Sequence, residues 1–139
     1  MTYQATPFIL LDGEAKAAIA FYARALDAEI AFTQTFGEGP ADPGHPVPDA
    51  AKDRVAHAVL KLGGADLFVA DAFPGAAGPD GGRVQVCLTV PDAEASRRFF
   101  GALADGGRIV MPLQKIHFSP SYGVVTDRFG VTFQIFTSR

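Results

Sequence analysis

Two glutamines and a tyrosine have the types and spacing from which a binding site can be built. Gln85 and Gln134 each stand between two apolar residues of an extended run, and Tyr122 opens the hairpin that contains Gln134. Side chains of a strand alternate between its two faces, so each glutamine lies on a mixed face opposite an apolar one. An amide can donate and accept hydrogen bonds at once. These residues either line a ligand pocket, with Phe68 and Tyr122 as aromatic walls, or bond to each other across a filled core.

Other reactive side chains give weaker signals. His57 lies in an apolar strand, where a hydrogen-bonded structural histidine is expected before a base or a ligand, although His57 can also reach the pocket. Cys87, the single cysteine, is expected to be a buried structural thiol. His45 is expected to be solvated, and His117 is a candidate for the pocket rim. A general base could be His57, His117 or Asp71, but no spacing of nucleophile, base and orienting group appears, so catalytic residues are unassigned.

The elements that position these residues occur in two sets. In the first set Asp12 is the expected N-cap of a helix, and apolar residues follow at helical spacing. Two glycines, Gly63 and Gly64, predict a tight hairpin turn. The predicted order is strand, helix, strand, strand, strand, over residues 6–11, 14–26, 28–36, 54–62 and 65–71.

The second set repeats that order. Asp92 is the expected cap of a helix that ends near Ala104, and a final hairpin is predicted around the turn Asp127 to Gly130, where the Asp side chain closes the turn. Its other strands are predicted over residues 83–90 and 107–112. In the two helices Tyr22-x3-Leu26 matches Phe99-x3-Leu103, at an offset of about 80 residues.

An internal duplication is the best account of this repeat. We therefore predict one α+β domain over residues 1–139, built from module 1 (about 1–73), a linker (about 74–82) and module 2 (about 83–139). The two βαβββ modules are expected to form curved mixed sheets around a cavity, with the helices outside.

Composition excludes several classes of partner. The chain has 139 residues, a formal net charge of −3 and no basic stripe, which argues against nucleic acid and anionic membranes. The apolar run Phe8 to Leu11 is too short for a signal peptide core or a membrane span. We expect a cytoplasmic protein.

Several motifs resemble a known family. Phe21-Tyr22 in the first helix and Asp127-x-Phe129-Gly130 before the last strand, in a duplicated βαβββ chain, resemble the vicinal oxygen chelate superfamily of glyoxalase I, bleomycin resistance proteins and extradiol dioxygenases. The runs His57-Ala58, Asp71-Ala72-Phe73-Pro74 and Met111-Pro112-Leu113-Gln114 are similar to its PhnB-like branch. That branch often has Trp-Gly near residues 118–122, where this chain has Phe-Ser-Pro-Ser-Tyr.

The resemblance implies four positions for metal ligands. In the superfamily's enzymes, His, Gln or Glu side chains from four strands hold a divalent metal. The matching positions here are Pro7, Phe68, Gln85 and Gln134. The first two cannot coordinate a metal, and two neutral amides are weak ligands. We therefore predict no metal and no cofactor at these positions.

The resemblance leaves three functions open. The first is a metal-free protein that binds a small organic molecule, as bleomycin resistance proteins do. The second is a lyase, isomerase or dioxygenase relative with a displaced metal site or metal-free acid–base chemistry, and the third is a module used only in assembly. Branch members are often named as 3-demethylubiquinone methyltransferases, but the chain lacks the Gly-rich strand–helix loop expected of an S-adenosylmethionine site. Pairing is common in the superfamily, so we expect a homodimer.

Overall fold

A computed structural model describes residues 4, 6–39, 44, 46–74, 84–116 and 119–138. Its contacts divide the chain into two compact units, residues 1–79 and 80–139, and from here on module 1 and module 2 denote these units. The predicted linker lies almost wholly outside the described residues. Each module has the predicted order of strand, helix and three strands, so the α+β class with two βαβββ modules is confirmed.

Module 1 is a four-stranded mixed sheet with one helix. The strand order is β1-β4-β3-β2, with β1 parallel to β4 and the other neighbours antiparallel. A short 3-10 turn at Asp49–Ala51 precedes β3. The elements are β1 Phe8–Leu11, α1 Ala15–Ala25, β2 Glu29–Thr35, β3 Val55–Leu62 and β4 Ala65–Asp71.

Module 2 repeats this topology. Its strand order is β5-β8-β7-β6, with β5 parallel to β8 and the other neighbours antiparallel. The elements are β5 Val86–Val90, α2 Ala93–Ala104, β6 Arg108–Ile116, β7 Ser119–Thr126 and β8 Thr132–Thr137.

The apolar face of α1 lies against the sheet of module 1, as its spacing predicts. The six apolar residues at helical spacing are all buried, together with Phe21: Ala15, Ala18, Ile19, Tyr22, Ala25 and Leu26. On the sheet, Ala58, Leu60, Leu67 and Val69 are at most 2% exposed. This side is therefore the hydrophobic core of module 1, and the opposite side of the sheet carries the alternate residues.

The prediction that Asp12 caps α1 was wrong. The helix begins after Glu14, whose side chain makes no hydrogen bond to the first turn. Asp71, at the end of β4, instead accepts hydrogen bonds from the N–H groups of Gly13 (2.7 Å) and Ala15 (3.0 Å). Asp12 is bound to the guanidinium of Arg54 at 2.6 Å, so its carboxylate is used elsewhere.

In module 2 the local signals are confirmed. Asp92 accepts a hydrogen bond from the N–H of Ala95 at 2.8 Å and so caps α2. Asp127 closes the final turn through the N–H groups of Phe129 (2.9 Å) and Val131 (3.0 Å), and Gly130 has a φ of 86°. Both acidic residues therefore satisfy backbone donors close to them in the chain.

Strand β6 is longer than the predicted residues 107–112. It continues to Ile116 through Pro112, with irregular pairing between Met111 and Gln114. Proline is tolerated because β6 is an edge strand and irregular pairing leaves room for a missing donor. Within the described part of the chain, neither helix has the length and apolar character that a membrane crossing requires.

Candidate functional site

Three side chains of module 2 form a hydrogen-bonded chain, which we call the polar row: Tyr122, Gln134 and Gln85. The Tyr122 hydroxyl donates to Gln134 Oε1 at 2.7 Å, and Gln134 Nε2 donates to Gln85 Oε1 at 3.0 Å. Tyr122 and Gln134 are half-buried, whereas Gln85 is exposed. The two glutamines bond to each other, as one of the two alternatives from the sequence predicts, but on a partly exposed face and not across a filled core.

Strand register explains how the polar row forms. Gln134 lies on β8 opposite Cys87 of β5 on one side and opposite Val124 of β7 on the other. Its neighbours Phe133 and Ile135 are fully buried, as the period-two pattern predicts. Gln134 therefore faces away from this core, at the centre of the sheet.

The polar row is directional. Each amide oxygen accepts one hydrogen bond from its neighbour, so the chain ends at the exposed Gln85, whose Nε2 donates to no other described residue. An amide NH₂ group carries two donors. The exposed end of the polar row therefore presents hydrogen-bond donors to whatever lies beside it.

The polar row is a poor metal site. A glutamine coordinates metals through its amide oxygen, and here both of those oxygens already accept hydrogen bonds. Within the described ranges, no three His, Cys, Asp or Glu side chains form a group that could hold a metal ion. The donor set does not fit a Lewis-acid centre, which usually has at least three strong protein ligands.

Cys87 was expected to be a buried structural thiol, and this was wrong. Its side chain is exposed. Cys87 pairs in register with Gln134 and so shares the face of the polar row, whereas Val90, on the other face, is 4% exposed. Alternation along β5, and not the apolar character of its neighbours, decides where this thiol lies.

Module 1 has aromatic side chains on the corresponding face. His57 lies 5.0 Å from Phe68, 6.1 Å from Phe32 and 6.4 Å from Phe8, measured between ring centroids. Phe8 and Phe68 meet edge-to-face at 6.1 Å. We call these four residues the aromatic cluster, which includes the two site residues predicted for this module.

Phe8 and Phe32 were not predicted from the sequence as members of the aromatic cluster. Phe8 lies in a short apolar strand that reads as core, yet it is 52% exposed. Phe32 is 48% exposed, and an irregularity in β2 after Ile30 changes which face the following residues occupy. A strand period that shifts at a bulge hides such a residue from pattern analysis.

His57 makes only ring contacts to the described residues. Its imidazole forms no hydrogen bond with them, including none to Gln34, its cross-strand neighbour on β2. The expectation of a hydrogen-bonded structural histidine was therefore wrong for this part of the chain. The two other histidines, His45 and His117, lie outside the described residues.

Two further predicted positions have structural roles. Asp71, a candidate base, is 3% exposed, and its second oxygen accepts a bond from the N–H of Val55 at 3.0 Å. Its carboxylate thus satisfies three backbone donors. Pro7 only offers its carbonyl oxygen, which accepts a bond from the N–H of Phe68 at 3.0 Å.

The comparisons with known proteins agree with this architecture. The family model of the glyoxalase/bleomycin resistance protein/dioxygenase superfamily matches residues 5–135. Protein YjdN of Escherichia coli is 33% identical, over 94% of this chain and 92% of that protein.

Two solved structures resemble the whole chain. Protein PA1353 of Pseudomonas aeruginosa has a TM-score of 0.88 with 28% identity, over 99% of this chain and 98% of that one. A PhnB protein of Bacillus cereus, proposed by its name to be a 3-demethylubiquinone-9 3-methyltransferase, has a TM-score of 0.79 with 26% identity, over 98% of this chain and 100% of that one. The chain therefore belongs to the glyoxalase/bleomycin resistance protein/dioxygenase superfamily, in its PhnB-like branch.

Proposed function

We propose that this protein binds a small organic molecule without a catalytic metal, and that the polar row takes part in recognition. The observation that carries the proposal is the hydrogen-bonded chain Tyr122–Gln134–Gln85 on the partly exposed face of a sheet. Small-molecule sites typically fix their ligand with a few convergent polar groups of this kind.

The chemistry of the polar row favours binding over catalysis. Amide side chains neither take up nor release protons near neutral pH, so the two glutamines can orient a ligand but cannot carry a proton. The exposed amide of Gln85 offers N–H donors. We therefore expect the ligand to present an oxygen or nitrogen acceptor to this end of the polar row.

Methyl transfer, suggested by the name of the Bacillus cereus relative, is not supported by the α1 N-terminus. In nucleotide-binding folds, a Gly-rich loop leads into a helix whose first N–H groups donate hydrogen bonds to the ligand. Here the N–H groups of Gly13 and Ala15 are bonded to the buried carboxylate of Asp71. The donors that such a cofactor would need are already occupied.

A fragment screen by ligand-observed NMR tests the proposal, with the binding site mapped by backbone amide shifts. We expect bound fragments to shift the amides near Gln85 and Gln134, and Gln134→Leu to weaken their binding. The matched control is Thr132→Val, which removes the hydroxyl bond to Thr126 (2.8 Å) but leaves the polar row intact. Fragments that bind only elsewhere, or equally well to Gln134→Leu, would contradict the role of the polar row.

Native mass spectrometry of untagged protein, purified without chelator, tests the metal-free part. We expect no stoichiometric divalent ion after incubation with Zn²⁺ or Mn²⁺. One tightly held ion per chain, lost in both Gln85→Ala and Gln134→Ala, would overturn the proposal and favour a metal-dependent enzyme. The same spectra report the mass of the assembly, which we propose to be a cytoplasmic homodimer.

A further inference from the structure

The aromatic cluster of module 1 combines open aromatic rings with one imidazole that has no hydrogen bond to the described residues. Phe8 and Phe32 are 52% and 48% exposed, so large parts of their rings remain uncovered. The sheet face that carries them is thus apolar but not closed.

The rings of the aromatic cluster meet edge-to-face or obliquely and are not stacked on one another. The planes of Phe8 and Phe68 are inclined at 89°, and those of His57 and Phe68 at 71°. His57 is tilted at 39° to Phe8 and at 49° to Phe32. Rings that meet edge-to-face or obliquely keep faces free, and a further ring can join them in the offset or edge-to-face arrangement that aromatic pairs prefer.

The imidazole of His57 is the hydrogen-bonding group of the aromatic cluster. A neutral imidazole has one N–H donor and one nitrogen acceptor, and exchange of tautomer changes which nitrogen has which role. A half-buried polar group without a partner costs about 1–3 kcal/mol when water is kept from it. A ligand atom at the edge of an aromatic ring can satisfy this group while its ring covers the phenylalanines.

Charge at this face disfavours an anionic ligand. The charged side chains on β2, β3 and β4 of this face are Glu29, Lys61 and Asp66; Lys61 lies in register with both carboxylates and forms an ion pair with Asp66 at 2.5 Å. Because carboxylates match the one lysine, no unpaired cation remains to attract an anion. The aromatic cluster therefore differs from a site for a carboxylate or a phosphate, where an unpaired cation is expected.

We propose that the aromatic cluster binds an uncharged heteroaromatic ring, held by Phe8, Phe32 and Phe68 and bonded through an edge atom to His57. The inference rests on the proposed function, because it names the ligand class that a binding protein of this kind accepts. It uses residues of module 1 alone, so it can fail while the polar row still binds ligands.

Two pairs of isosteric probes test the inference by NMR titration of the backbone amides of His57 and Phe68. Indole is compared with indene, and quinoline with naphthalene; within each pair only the first compound offers a hydrogen-bonding nitrogen. We expect at least one heteroaromatic to bind about fivefold more tightly than its hydrocarbon partner, the value of one hydrogen bond of about 1 kcal/mol. Equal affinity within both pairs would overturn the inference.

Three variants assign the effect to residues. His57→Phe keeps an aromatic ring without nitrogen and should abolish the preference while retaining hydrocarbon binding. Phe68→Leu should weaken all four probes, and Phe8→Leu, at a more exposed position, repeats this test with less risk to folding. Phe36→Leu is the matched control, since Phe36 contacts Phe73 at 5.7 Å outside the aromatic cluster.

The outcomes separate this inference from the proposed function. A preference that persists in His57→Phe, or an equal loss for all probes in the Phe36→Leu control, would contradict the aromatic cluster as the site. Fragment binding that depends on Gln134, without any probe binding at His57, would leave the proposed function intact and remove this inference alone.

Discussion

The two modules place different chemistry on the same positions of the same fold. In module 1 Phe8 of β1 pairs with Phe68 of β4, and in module 2 Cys87 of β5 pairs with Gln134 of β8. Each pair lies three residues before the ends of its two parallel strands, so Phe8 is equivalent to Cys87 and Phe68 to Gln134. Val59 and Val124 are the next cross-strand partners, and His57 and Tyr122 lie two residues before them. Tyr122 and Gln134 of the polar row thus occupy the positions of His57 and Phe68 in the aromatic cluster, whereas Gln85 has no equivalent in that cluster. The same βαβββ topology carries an aromatic face in module 1 and a hydrogen-bonded row in module 2.

The helix starts differ between the modules as well. Leu11 pairs with Asp71, and Val90 pairs with Thr137, so Asp71 and Thr137 are equivalent. Asp71 satisfies three backbone N–H groups, whereas the buried Thr137 Oγ1 has no hydrogen-bond partner among the described residues. Module 2 caps its helix with the local residue Asp92 instead. One module thus depends on a distant side chain for a function that the other performs locally.

The largest effect on stability is expected when the two capping residues, Asp71 and Asp92, are each replaced by alanine. Asp71→Ala leaves the N–H groups of Gly13, Ala15 and Val55 without their acceptor, and should lower the free energy of unfolding by about 3 kcal/mol. Asp92→Ala, the matched change in module 2, should cost about 1 kcal/mol because it removes one exposed cap bond. Urea unfolding followed by circular dichroism at 222 nm measures both, and equal costs would contradict the comparison.

A smaller effect is expected in the polar row. Gln134→Leu removes the bonds to Tyr122 and Gln85 and should cost about 1 kcal/mol of unfolding free energy. Tyr122→Phe should cost a similar amount, since it removes one of the same bonds.

The double variant tests whether the residues act as a unit. If Tyr122 and Gln134 interact as the structure indicates, the double variant should cost less than the sum of the single variants, by about 0.5 kcal/mol or more. Strict additivity in urea unfolding would show that this hydrogen bond does not contribute to stability.

How much of this was predictable depends on distance along the chain. The order of elements, the buried face of α1 and the turn at Asp127 follow from patterns within about fifteen residues, and the structure confirms them. The cap of α1 could not be predicted because Asp71 lies 58 residues from Gly13 and 56 from Ala15. Local patterns contain no record of such a contact.

Errors at the candidate sites have similar causes. Cys87 alternates with the half-buried Val86 and Leu88 and so shares the face of Gln134, but the apolar run around it suggested burial. In α2 the buried aromatic residue is Phe100 (7% exposed), whereas the sequence match to Tyr22 suggested Phe99, which lies beneath the guanidinium of Arg98. Burial thus agrees with the match of Leu26 to Leu103, both of which are buried, but not with that of Tyr22 to Phe99.

The smallest effect on stability is expected from the exposed carboxylate of Glu38 in module 1. The N–H of Thr35 donates to Glu38 at 2.8 Å, and this bond, with a further bond to the Thr35 side chain, lowers the pKa of Glu38 below its ordinary value. A carboxyl group with a lowered pKa stabilises the folded state above its unfolded pKa, and this contribution is lost as pH falls through the folded pKa. Because Glu38 is fully exposed, the change in stability should be slight.

An NMR titration of the Glu38 side-chain carboxyl measures this pKa directly. We expect a midpoint below that of an unstructured peptide containing the same residue. A midpoint at or above the peptide value would show that the bond from Thr35 is not maintained in solution.

The bonds made by Asp71 also bear on the order in which the molecule folds. The start of α1 has its donors satisfied only after β4, more than 50 residues later in the chain, has docked beside β1. Contacts between distant segments require loop closure before they stabilise the chain, whereas the cap of α2 and the final turn of module 2 form within a few residues. We therefore expect the amides of Gly13 and Ala15 to exchange with solvent hydrogen only when module 1 unfolds as a whole. Nascent module 1 would then complete its first helix only after its last strand has been synthesised.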